Sequence, residues 1–163
     1  MIRLIVTFFY AGHLRPAPGT WGSLAAIPAA WALHLIGGPL LLVSATILAF
    51  LSGLWATERY IAGADDHDPS EIVIDEVVGQ WIALLPVSLG AAHAGAAVTQ
   101  LWPGVLAAFL FFRLFDIWKP GPVGLADRMD NALGVMLDDV AAGWIACLCV
   151  AVAAFVAHGI LGL

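Results

Sequence analysis

The sequence predicts an all-α, polytopic membrane bundle of about five spans, preceded by a short N-terminal segment that is interfacial or re-entrant. Composition is the first reason. Of 163 residues, 62% are apolar and only 11% are charged, against about 25% charged in an ordinary soluble domain. The second reason is where the charges fall. When the apolar runs are threaded through a bilayer, all 6 basic and 12 acidic side chains land on one side. The length allows one membrane domain over residues 1–163 and no separate extramembrane domain.

Taken in order, residues 4–11 are too short to span and are flanked by Arg3 and Arg15. The Arg-Pro-Ala-Pro that follows is a poor signal-peptide cleavage context. Span A covers residues 23–36, B 39–56, C 76–98, D 103–115 and E 140–159. At 1.5 Å per residue, B, C and E can cross a hydrocarbon core about 30 Å thick, while A and D need flanking residues or local thinning. Pro28 in A and Pro86 in C are tolerable where neighbours satisfy the freed carbonyls. Gly53, Gly90, Ala94, Gly95 and Gly143 permit close helix packing.

Gly37-Gly38, the stretch Thr99-Gln100-Leu101-Trp102 and the C-terminus carry no charge. Arg3, Arg15, Arg59, Arg113, Lys119 and Arg128 all lie opposite them, so the positive-inside rule puts the charged side in the cytoplasm. A net charge of −6 argues against nucleic acid as a partner, and nothing requires a protein partner. Cys147 and Cys149 diverge by about 200° on a helix and read as packing residues. His34, His93 and His158 fall toward the uncharged side and read the same way.

Four stretches on the charged side carry chemistry. Pro18-Gly19-Thr20-Trp21-Gly22-Ser23, just ahead of span A, offers two glycines and two hydroxyls at a helix start. It suits either a phosphate cradle or a simple cap. His67-Asp68-Pro69-Ser70-Glu71-Ile72-Val73-Ile74-Asp75-Glu76 leads into span C, and Asp138-Asp139 opens span E. Acids at helix starts oppose the dipole, which accounts for much of Asp75, Glu76, Asp138 and Asp139. It does not account for Asp116, at the end of span D within Arg113-Leu114-Phe115-Asp116-Ile117-Trp118-Lys119-Pro120. Arg113 and Lys119, three residues to either side, can neutralise it. An apolar helix end has no structural need for three ionisable groups, so they point to function. Five carboxylates converging from three helices repel unless a cation sits among them. Oxygen-only ligands beside phosphate favour Mg²⁺.

In Pro18-Gly-Thr-Trp-Gly-Ser-Leu24, Ile72-Val-Ile-Asp-Glu-Val-Val-Gly79, Phe112-Arg-Leu-Phe-Asp-Ile-Trp-Lys-Pro120 and Gly134-Val-Met-Leu-Asp-Asp-Val-Ala-Ala-Gly143, the chain resembles bacterial phosphatidylglycerophosphatase A. The four segments stand in the same order as in that family. Asp65-Asp66-His67 and Gly121-Pro-Val-Gly124 depart from the pattern. The resemblance implies a Mg²⁺-dependent enzyme of the bacterial cytoplasmic (inner) membrane. Its reaction is removal of the terminal phosphate of phosphatidylglycerophosphate, giving phosphatidylglycerol and phosphate.

On that basis Asp75, Glu76, Asp116 and Asp139, supported by Asp138, are expected to hold one or two Mg²⁺ ions and so to be catalytic. Arg113 and Lys119, with Arg128 more weakly, are expected to bind phosphate oxygens. Thr20 and Ser23 complete the cradle, and Asp127 is the expected proton donor to the leaving alkoxide. No Asp-x-Asp-x-Thr nucleophile, paired-histidine pattern or Asp-Gly-x-x-Ala-Arg transferase signature is present. The alternative is a divalent-cation transporter or channel with the carboxylates as ion ligands. It predicts acids spread through the membrane depth and on both sides, and here they stop at one face. A structural subunit whose acids are only caps leaves Asp116 unexplained.

Overall fold

The computed structural model describes residues 1–62 and 69–157. Asp65, Asp66, His67, Asp68 and His158, named above, lie outside the described residues, as does the end of span E. Described residues form helices α1 (Ile2–Val6), α2 (Pro18–Ile61), α3 (Ile74–Ala83), α4 (Leu85–Ala94), α5 (Trp102–Trp118), α6 (Pro122–Asp127) and α7 (Ala132–Phe155), with no strand. Three helices are long and apolar enough to cross a membrane, or four if the bent pair α3–α4 is one span. That count differs from the expected five because α2 contains both span A and span B.

α2 is not one rod. Gly37 (φ −150°, ψ 19°) and Gly38 (φ 62°, ψ −157°) break it, and Pro39 opens the second limb. The Gly38 conformation is open only to glycine. Gly22 in the first limb packs on Val73, and Gly53 in the second packs on Ile74. On a straight helix those glycines would stand about 46 Å apart. Since Val73 and Ile74 are neighbours, α2 must fold back into a hairpin at the two glycines.

The other helices are placed by similar contacts. Trp81 Nε1 donates to Ala26 O at 2.9 Å, and His34 Nδ1 meets Ser88 Oγ at 2.7 Å, so the first limb runs alongside α3 and α4. The pair α3–α4 bends by 40° at Leu84, just ahead of Pro86. α5 runs the opposite way, with Gly104 near Val87 and Phe112 against Gly79. α7 runs with α3, Gly143 lying on Gly79. The central α3 is buried from Val77 to Ala83, while leucines and tryptophans of α2, α5 and α7 face outward, as expected of a bundle solvated by lipid.

The N-terminal segment enters this bundle and returns. α1 is followed by Phe8, Phe9 and Tyr10, all with positive φ, and then by a short 3₁₀ turn at Ala11–His13. Val6 is fully buried and its carbonyl accepts from Val73 N at 2.8 Å. The Phe8 ring meets Trp81 edge-on, with centroids 6.3 Å apart.

Two boundaries alter the reading of the acids. Asn131 caps α7, its side chain accepting from Gly134 N at 3.0 Å, so the helix begins at Ala132. Asp138 and Asp139 therefore lie about two turns inside α7 rather than at its start, and an N-terminal dipole does not account for them. Likewise Pro18 is the first residue of α2, so Gly19 and Thr20 belong to the helix's first turn instead of preceding it.

Candidate active site

The first turns of α2 and α3, the interior of α7 and the last turn of α5 meet at the charged end of the bundle. They enclose a cavity of about 350 Å³ lined by Gly19, Thr20, Asp75, Glu76, Arg113, Asp116, Lys119, Asp138 and Asp139, with Ser70 at its edge. Thr20 lines it from a helix start whose leading N–H groups have no intrahelical acceptor.

On one wall, oxygens of Asp75, Glu76 and Asp139 all lie within 4.8 Å of one another. Asp75 is 7% exposed and Asp139 3%. Glu76 Oε2 and Asp139 Oδ1 are buried without a hydrogen-bond partner among the described residues. Two unit charges 4 Å apart near a protein surface repel by about 4 kcal/mol. Three carboxylates so placed call for protons or a cation, and the unpaired oxygens are available to coordinate one. An all-oxygen donor set suits a hard divalent ion, so the residues fit Mg²⁺.

The neighbouring acids are engaged elsewhere. Asp116 Oδ2 accepts from Arg113 Nη1 at 2.6 Å, and the same nitrogen lies 3.9 Å from Glu76 Oε1. Asp138 Oδ2 accepts from Lys119 Nζ at 3.0 Å, and Lys119 also donates to Asp127. Burial disfavours the Lys119 ammonium, but its bonds to Asp127 and Asp138 outweigh that and raise its pKa above the ordinary lysine value. Lys119 therefore stays charged.

Ser23 is fully buried. Its hydroxyl donates to Gly19 O at 2.8 Å and accepts from Arg113 Nη1 at 3.4 Å. It braces the arginine and does not line the cavity. Arg128 is exposed beyond the cavity, and Asp127 reaches it only through Lys119. Ser70 was not singled out from the sequence, yet it lines the cavity and accepts from Arg15 Nη1 at 3.3 Å. Its place directly after Pro69, on the charged side, was the available signal.

Fold and site define a helical membrane protein with an acidic pocket able to take a cation, flanked by one arginine and one lysine. Comparison with known proteins narrows this. Residues 4–154 match the phosphatidylglycerophosphatase A family. The chain is 41% identical to phosphatidylglycerophosphatase A of Haemophilus influenzae over 144 residues, covering 86% of this chain and 81% of that protein. Its identity to the Escherichia coli protein of the same name is 34% over 143 residues, covering 86% and 76%. A Bacteroides thetaiotaomicron protein named "Putative phosphatidylinositol-3-phosphatase" is 38% identical over 157 residues, covering 94% and 93%. No solved structure matches. The chain belongs to the phosphatidylglycerophosphatase A family.

Proposed function

We propose that this protein hydrolyses the terminal phosphomonoester of phosphatidylglycerophosphate in the bacterial inner membrane, with Mg²⁺ as cofactor and its pocket facing the cytoplasm. One observation carries the reading. Three clustered carboxylates share a single cavity with Arg113 and Lys119, at the one end of the bundle that bears charge.

Asp75, Glu76 and Asp139 would hold the Mg²⁺, with Asp116 and Asp138 beside them. A divalent cation bound there supplies a Lewis acid to the phosphoryl oxygens and makes water a better nucleophile at neutral pH. Arg113, fixed by Asp116 and Ser23, presents its guanidinium to the phosphate from α5. Lys119, held by Asp127 and Asp138, presents a permanent positive charge to the same cavity, where charge develops on the phosphate oxygens. Thr20 and the first N–H groups of α2 bind a third phosphate edge. Asp127, bonded to Lys119 outside the cavity, supports a task different from proton donation: it orients Lys119. The acyl chains remain in the leaflet, so the headgroup reaches the pocket without extraction of the lipid. The positive-inside rule, applied to Arg15, Arg59, Lys119 and Arg128 around this end, supports the cytoplasmic orientation.

A transporter needs ionisable groups along a path. Residues 24–52, 77–112 and 140–157 contain no Asp, Glu, Lys or Arg, which disfavours that reading. The test is phosphate release by purified protein in micelles, with and without Mg²⁺, from phosphatidylglycerophosphate and from phosphatidylinositol 3-phosphate. Mg²⁺-dependent release with preference for the first lipid is expected. Preference for the second reassigns the substrate, and no release from either, with ion flux in liposomes, overturns the hydrolase.

A further inference from the structure

Below its acid pair, α3 is apolar or glycine from Val77 to Ala83, with a single exception, Gln80. Gln80 is 0% exposed, and neither its Nε2 nor its Oε1 has a hydrogen-bond partner among the described residues. A carboxamide in the middle of an apolar bundle is costly unless its groups are paired. Packing alone would be met by leucine or methionine at the same volume.

Gln80 stands four residues after Glu76, one helical turn deeper on the same face, a spacing at which side-chain ends meet. Above it, Glu76 has its two oxygens in different circumstances. Oε1 packs against Gly19 and lies near Arg113, whereas Oε2 is buried and has no partner. An unpaired donor thus lies one turn beneath an unpaired acceptor. We propose that Gln80 is a positioning residue for Glu76: its Nε2 donates to Glu76 Oε2 through one buried water. This arrests rotation of the carboxylate and holds it in register with Asp75 and Asp139. Groups of this kind fix the direction and basicity of a metal-binding carboxylate, and their removal typically lowers metal affinity by about 10–100-fold. The inference rests on the metal-site reading given above.

The test is Mn²⁺ binding, followed by electron paramagnetic resonance on the purified full chain in detergent, alongside thermal unfolding. Gln80→Met keeps the volume and loses the amide. It is expected to weaken Mn²⁺ binding by about 10–100-fold and to raise the Mg²⁺ needed for half-maximal turnover. At saturating metal, KM for the lipid should stay within about twofold of the unsubstituted protein, a split that loosened packing would not give. Gln80→His keeps a donor of similar reach and should restore most of the affinity. Binding by Gln80→Met equal to that of the unsubstituted protein overturns the proposal and leaves the metal site standing. Loss in both variants in proportion to lost helicity makes Gln80 a packing residue and also overturns it. If the unsubstituted protein takes up no Mn²⁺, the metal-site reading itself fails, and this inference with it.

Discussion

Gly143 of α7 lies against Gly79 of α3 so closely that a Cβ added to Gly143 would stand 2.5 Å from the Gly79 carbonyl oxygen. Each glycine is four residues after one acid of the cluster, Gly143 after Asp139 and Gly79 after Asp75. One turn beneath the pocket, therefore, backbone contact between two helices sets how near their carboxylates come. Helices that bear side chains at the contact pack 8–10 Å apart, and small residues allow closer approach.

Gly143→Ala follows directly from that contact. The clash is with backbone, which cannot swing aside, so α7 must shift outward. A misplacement of about 1 Å at a reacting centre can cost about 10²-fold in rate. Turnover should fall by about that much while the protein still purifies as an intact helical species. A rate within a few-fold of the original would mean that the acids need no fixed spacing.

Asp116→Asn tests the other wall. Asp116 is bonded to Arg113 at 2.6 Å, and the amide retains shape but gives up the charge that orients the guanidinium. Phosphate release should drop by about 10²–10³-fold if Arg113 acts as a typical electrostatic donor. The monodisperse bundle should persist, because Asp116 contributes nothing to the apolar core. Full activity in the variant would remove Asp116 from the reaction.

Lys119→Ala removes the second cation and leaves Asp138 and Asp127 without their shared partner. A rate lowered by about 10²–10³-fold at saturating lipid is expected for a group that stabilises charge in the transition state. If instead only lipid-surface binding weakens, as shown by vesicle sedimentation with an unchanged rate, Lys119 is a membrane anchor.

How much of this could be read from sequence depended on the kind of signal. Charge segregation is a property of composition and order, so the charged end, the uncharged turns at Gly37–Gly38 and near Trp102, and the convergence of acids were all legible. The start of α7 was not. Asp138 and Asp139 sit where the unbroken apolar run begins, and hydropathy puts the helix start there. The actual start is fixed by one hydrogen bond, from Gly134 N to the Asn131 side chain. The division of labour between Asp138 and Asp139 follows from helix geometry, since adjacent residues point about 100° apart. One faces Lys119 and the other the carboxylate cluster. Ser23 reads from sequence as part of the phosphate cradle, whereas the fold buries it against Gly19 O and Arg113, a placement set by packing between α2 and α5 that local sequence does not encode. Gln80 gives no sequence signal, because a lone amide in a greasy run carries no pattern.

Removing metal should change stability as well as rate. With a chelator present, oxygens of Asp75, Glu76 and Asp139 face one another within 4.8 Å, with Arg113 Nη1 at 3.9 Å from Glu76 Oε1, and phosphate release should cease until Mg²⁺ is restored. A ligand that binds only the folded state at about 100 times its Kd stabilises it by about 2.7 kcal/mol. The thermal midpoint in micelles should therefore rise on adding Mg²⁺. Asp139→Asn separates repulsion from coordination. Loss of one negative charge relieves the metal-free cluster, so the variant without metal should melt at or above the metal-free original, yet gain little from Mg²⁺. A Mg²⁺-induced rise that survives in Asp139→Asn would place the ion at other residues.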